Sequence, residues 1–418
     1  MKKKVYSITK IIICIIVTLL FLVAVAFFIL KWFASDEVKL AVSQKFPLLL
    51  MIDNQPCDEE SYMESRKNDP GIYSRESGSH FFPLVRFDQD TILVKKLFLV
   101  DFTGDQIYKS FEPQLVQQDN TDYYRMFAYR NDGAVDIYYQ KGLDLDKQSY
   151  DALMNKSYLI ETNFSKFDFT VTDKGLDLAV SLLDKQNRRI SFSVKENRNS
   201  AGNYRIIAPI GDTSKNPAGF PVIFLNGFEL VQKEGTAISV SIDDAGMKLT
   251  TLLPFVNYKK VYYSRYSDQV VSKKLNPNYT GSIEPLAVPA GVGEVTYGDN
   301  VYMIADNNGH SEIEQVAAAC GSSEVRIRFS PAIPEVASLK SGTQIEGHFS
   351  IGIDEANGMV GGVYSITSTD GIVNFQMNPQ IGWSPKPGKL WMKTYFWNCI
   401  IQMEDGSLKV NSGWSRKD

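Results

Sequence analysis

The first long apolar run along this chain is Ile11 to Leu30, in which only Cys14 and Thr18 are mildly polar and nothing is charged. About 20 apolar residues at a 1.5 Å rise span the roughly 30 Å hydrocarbon core of a bilayer. Residues 11–30 are therefore expected to form a transmembrane anchor. Lys2, Lys3, Lys4 and Lys10 precede the run, and Lys31, Trp32 and Phe33 follow it, ahead of Asp36 and Glu37. The positive-inside rule keeps residues 1–10 in the cytoplasm and sends the rest across. The expected location is the cell membrane, single-pass, with the bulk of the chain extracytoplasmic. A cleaved signal peptide would carry an apolar region of roughly 7–15 residues ending in a small-x-small site. Here the run is longer and Ala24-Val25-Ala26 lies inside it, so it reads as an uncleaved signal-anchor.

Beyond residue 80 the pattern changes to a period of two. Phe167, Phe169 and Val171 alternate with Asp168 and Thr170; Ile190, Phe192 and Val194 with Ser191 and Ser193. Ile238, Val240 and Ile242, and Val325, Ile327 and Phe329, repeat the pattern. Such alternation marks strands with one buried and one wet face, the habit of antiparallel sheets. Asp132-Gly133, Asp370-Gly371 and Asp405-Gly406 lie between apolar runs and supply the positive φ angles of type I′ hairpins. Asp173-Lys174-Gly175 and Asp244-Ala245-Gly246 read as three-residue turns with glycine in the left-handed position. Only Gln148 to Lys156 and Glu312 to Cys320 read as helices, each of one or two turns.

Asn276 to Gly293 holds Pro277, Pro285, Pro289, Gly281, Gly291 and Gly293, a density that reads as a linker or long crossover. The expected organisation is a cytoplasmic N-terminus (1–10), an anchor (11–30), a juxtamembrane segment (31–75), a larger β domain (76–276), a linker (277–289) and a smaller β domain (290–418). The fold class is mainly β: a transmembrane helix followed by two packed antiparallel β domains, barrel- or sandwich-like. Paired barrels of the lipocalin type are one arrangement with this architecture, a likeness that no motif carries.

Composition narrows the function classes. The 418 residues carry 44 basic and 48 acidic side chains. Setting aside the lysines at 2, 3, 4, 10 and 31 leaves 39 against 48, a charge of −9 on the exported part. An acidic surface opposes binding to nucleic acid or anionic lipid headgroups. Only His80, His310 and His348 are available for histidine chemistry, and no nucleophile elbow, zinc-hydrolase helix or phosphate-cradling glycine loop is present. Glu346, His348 and Ser350 share a strand face, which is more simply a solvated face than a site. Asp306-Asn307-Asn308-Gly309 fails the EF-hand spacing and reads as a turn. No catalytic residue, metal ligand or cofactor is nominated. Among the exported cysteines Cys57, Cys320 and Cys399, at most one disulfide can form, leaving one thiol over.

Aromatic residues supply the one concentrated signal. Trp383, Trp391, Trp397 and Trp414 fall within the last 36 residues, and Trp391, Lys393, Tyr395 and Trp397 share one strand face. Two readings follow: the rings fill the core and the seam between domains, or Trp383, Trp391, Tyr395 and Trp397 line a ligand platform. The second makes the protein an extracytoplasmic binding protein, with an apolar small molecule or lipid favoured over carbohydrate. The alternatives are a glycan-active enzyme using paired carboxylates, and an assembly subunit of a membrane complex.

Overall fold

The computed structural model describes residues 23, 25, 51–52, 55–56, 61, 69–74, 80–89, 92–147, 150, 156–197, 204–208, 217–230, 236–252, 261–262, 264–267, 269–288, 292–320, 323–353, 360–382, 394–404 and 407–416. About 70% is strand and 5% helix, arranged as several packed antiparallel sheets. Among the described residues no helix is long and apolar enough to cross a membrane. Within the expected anchor only Val23 and Val25 are described, both helical; the remainder of 11–30 lies outside the described residues.

In the first half, Leu93–Thr103, Tyr108–Gln118, Thr121–Arg130 and Val135–Tyr139 form an antiparallel meander. Ser157–Glu161 joins its edge in parallel, an exception to the antiparallel rule. A second sheet of Lys166–Thr172, Gly175–Leu183, Arg189–Lys195 and Ala237–Ile242 lies against the meander. The alternating residues explain the packing. Phe167, Phe169, Ile190, Phe192, Val194, Val240 and Ile242 are buried, while Asp168, Thr170 and Ser193 are exposed. Their inner face meets Phe98, Val100, Phe102, Tyr108 and Phe111 in one shared core. Phe98 stacks on Phe192 at 5.9 Å and Tyr124 on Phe167 at 4.3 Å, across the two sheets.

The second half is a ten-stranded antiparallel sheet. Apart from its first strand it runs in chain order from Glu294–Tyr297 to Ser407–Arg416, and Tyr279–Ile283 pairs with that last strand. The proline-rich stretch is thus partly built into sheets, because Leu286–Ala287 also pairs with His80–Phe81. Asp370 (φ 49°) and Gly371 (φ 81°) form the expected two-residue I′ turn, and Asn308 and Gly309 form another. At 243–246 the left-handed pair is Asp243 and Asp244, with Ala245 already paired to Ile242, so Gly246 is not the turn glycine. Asp405-Gly406 lies outside the described residues.

Glu312 to Cys320 is not helical; it belongs to the strand His310–Cys320. The physical reason is a β-bulge. Glu314 is skipped in the register with both neighbouring strands, so the inward positions fall at Ile313, Val316 and Ala318. One extra residue thereby turns a period-two pattern into the i, i+3 spacing of a helix. Of Gln148 to Lys156, only Tyr150 and Lys156 are described, and Tyr150 is helical.

Phe192 is almost fully buried at the centre of the first core. Phe192→Ala should lower the unfolding free energy by about 3–5 kcal/mol, read from the urea midpoint. A loss below about 1 kcal/mol would mean that the two sheets do not share that core.

Candidate functional site

Strand parity decides what the C-terminal aromatics can do. In Tyr395–Glu404 the odd residues Tyr395, Trp397, Cys399 and Ile401 are buried, and the even residues Asn398, Ile400 and Gln402 face outward. Tyr395 is 1% exposed and Trp397 0%. Phe375 meets Trp397 edge-on at 5.0 Å, and Phe220 approaches Tyr395 at 5.2 Å and Trp414 at 5.1 Å. Trp414 Nε1 donates to the carbonyls of Leu275 and Asn276, both at 3.0 Å. These rings fill the core and the seam between the halves, the first of the two readings above. Trp383 and Trp391 lie outside the described residues.

On the opposite face of the same strands runs an open groove of ≈ 520 Å³, lined by Asn278, Tyr279, Thr280, Asn398, Ile400, Asn411, Ser412, Gly413, Trp414 and Ser415. None of these carries a carboxylate, an ammonium or a guanidinium. Thr280 donates to Asn411 Oδ1 at 3.1 Å, and Gln376 Nε2, on the neighbouring strand, donates to Asn398 Oδ1 at 3.1 Å. Asn278 closes one end, accepting from the Trp414 N–H at 3.0 Å and donating to the Pro217 carbonyl at 3.2 Å. Ile400 is 44% exposed within the groove. Such a surface recognises by neutral hydrogen bonds and by apolar contact at Ile400, Tyr279 and Trp414. The neighbouring strand carries the same chemistry outward: in Asn374-Phe375-Gln376-Met377-Asn378, amides alternate with core residues.

Among the ionisable clusters elsewhere, two pair largely within themselves, with Arg188 Nη2 left buried and without a partner among the described residues. In the second half, Tyr73 stacks on the His310 ring at 3.7 Å and donates to Glu312. His310 Nδ1 and Glu335 Oε2 are 2.7 Å apart, and Ser338 donates to Glu335 Oε1 at 3.0 Å. Burial first, and then the Glu312 charge, push the Tyr73 phenol far above its ordinary value. The enclosed cavity beside Glu335 measures ≈ 10 Å³, room for about one water and not for a ligand. His348 and Glu346 are exposed on the outer face, as alternation requires.

In the first half, fully buried Asp136 accepts from Tyr108 at 2.9 Å and Lys185 at 2.8 Å. Arg188 bridges Asp105 at 2.7 Å and Asp184 at 2.8 Å. Burial opposes ionisation of Asp105, but hydrogen bonds from Tyr108 N, Arg188 and Ile107 N outweigh it and hold its carboxyl below the ordinary value. These networks clamp strand ends together; their charges are compensated in place. Cys399 is a free, buried thiol that burial pushes up to about 12, which makes it unreactive.

Two outcomes test this division of labour. A carboxyl with a depressed folded pKa contributes stability that is present above the unfolded value near 3.9 and lost as pH falls through the folded value. Asp105→Asn should therefore flatten the fall in melting temperature below about pH 4; an unchanged acid limb would contradict the assignment. Tyr73→Phe leaves buried Glu312 short of a donor and should cost about 1–3 kcal/mol, with faster hydrogen exchange at residues 70–74. Wild-type stability in that variant would show the clamp to be idle.

Compared with protein-family models, curated proteins and solved structures, the chain matches none.

Proposed function

We propose that this is a single-pass, membrane-anchored protein whose β-rich part lies outside the cytoplasm and binds a ligand in the C-terminal groove. The observation that carries the reading is the groove itself: about 520 Å³, open, and lined by amides, hydroxyls, the aromatic Tyr279 and Trp414 and the exposed Ile400, with no charged side chain. The uncharged run 11–30 behind four lysines supports the tether and its orientation.

The lining also bears on the ligand. The C-terminal aromatic cluster points to an apolar small molecule or lipid, but Tyr395 and Trp397 are committed to the core. What the groove offers is hydrogen-bonding capacity, which favours a polar, uncharged ligand. A glycan-cleaving enzyme needs two carboxyl groups roughly 5–9.5 Å apart across the sugar, and the groove lining contains none. Binding without cleavage is the reading it supports.

Native mass spectrometry of the detergent-solubilised full chain, offered neutral oligosaccharides and lipids in turn, tests this. One class should give a one-to-one adduct that Ile400→Arg abolishes. An adduct indifferent to that substitution would move the site elsewhere. Absence of any adduct would turn the reading toward an assembly subunit.

A further inference from the structure

The groove belongs to a wider face whose regularity bears on what it holds. Hydrogen-bonded register aligns outward residues into rows that cross the strands. One row is Gln344, Thr367, Asn374, Ile400, Asn411 and Thr280; the next is Glu346, Ser365, Gln376, Asn398 and Gly413. Steps within a row follow the strand spacing of about 4.8 Å, and the rows stand about 7 Å apart. Apart from Glu346 at one end, every side chain in the two rows is uncharged. Lys409 at the margin is bonded to Ser282 at 2.9 Å.

Among the described residues, most of the hydrogen-bonding capacity of this face is unused. An amide offers two donors and an acceptor oxygen with two lone pairs. Gln376 and Asn398 share one hydrogen bond, as do Thr280 and Asn411. Among the described residues, the amide nitrogens of Asn398 and Asn411 and the Gln376 oxygen have no further partner. Asn374 Oδ1, in the middle of the first row, is buried and has no partner among the described residues. Closely spaced donors and acceptors of both kinds match vicinal hydroxyls, each of which donates and accepts. An anionic ligand would need cations, which the rows lack. An acyl chain would strand the amides without water.

We propose that this face binds a linear, neutral polysaccharide lying across the strands, with about one hexopyranose unit per strand. The strand spacing is close to the rise per unit of an extended hexopyranose chain. Ile400, in the centre of its row and 44% exposed, packs on the C–H face of a sugar ring. The assignment rests on the binding reading above and adds the ligand class, its direction and its repeat.

The test uses the full chain in a sugar-free detergent, titrated calorimetrically with cello-oligosaccharides and chito-oligosaccharides of one to six units. Affinity should climb with length and level off at about five units, because the first row crosses six strands, about 24 Å. Asn398→Ala combined with Asn411→Ala should weaken binding about tenfold or more with the melting temperature unchanged, since both residues lie on the outer face. Binding without length dependence, or untouched by the double variant, would overturn the proposal. The two readings fail separately. If acidic glycans or lipid vesicles bind instead and Ile400→Arg blocks them, the groove remains the site and the neutral-chain assignment falls. If no probe binds in a way sensitive to Ile400→Arg, both fall.

Discussion

The seam at Trp414 is the contact on which the arrangement of the two halves depends. Its indole N–H donates to the carbonyls of Leu275 and Asn276, at the end of the first half's strand Gln269–Leu275. Its ring meets Phe220 from the same half and Tyr395 from the neighbouring strand. A buried indole must find an acceptor or lose a hydrogen bond, and here the acceptors sit on the chain that leads into the ten-stranded sheet. Phe220, Val222, Phe224 and Leu275 consequently belong to the same core as the C-terminal strands. The halves are joined by a common apolar interior, not by a free connection.

Once Trp414, Trp397 and Tyr395 point inward, parity dictates the opposite face. Every neighbour of a core ring must look outward, which puts Asn398, Ile400, Asn411 and Ser415 on one surface. Antiparallel register then brings Gln376 beside Asn398 and Asn411 beside Thr280. The groove is therefore a by-product of core packing on one side and a selected composition on the other. Core packing explains where the outward residues stand. It does not explain why they are amides and hydroxyls rather than the lysines and glutamates that commonly cover an exposed sheet.

The ionisable groups follow a different logic. Asp136, Asp184, Glu312 and Glu335 are buried, and a buried charge is tolerable only where partners surround it. Each has them: Lys185 and Arg130 for Asp136, Arg188 for Asp184, Tyr73 for Glu312, His310 for Glu335. Groups so engaged have little left for an external molecule. Tyr73 also ties residues 70–74 to the ten-stranded sheet: its backbone bridges to Leu339, and Ser74 N–H donates to the Ser338 carbonyl. The segment that follows the expected anchor is thus clamped to the half of the molecule that carries the groove.

Local pattern alone was enough for the β class, the alternating strands and the Asp370-Gly371 turn, because side-chain parity and positive φ are properties of a few adjacent residues. The anchor expectation is local too, resting on the length of an uncharged run. The local pattern misleads where non-local pairing overrides it. Glu314 looks like part of a helix until two neighbouring strands show that it is skipped, and Asp243-Asp244 replaces the nearby glycine as the turn because Ala245 must pair with Ile242. The sequence showed a cluster of tryptophans but not which side of the sheet it served, since a strand with apolar residues on both faces has no parity to read. The seam with Phe220 and Leu275 settled that for Tyr395, Trp397 and Trp414. The proposed groove is lined largely by the amides beside those rings, because rows of side chains exist only once strands distant in sequence lie side by side.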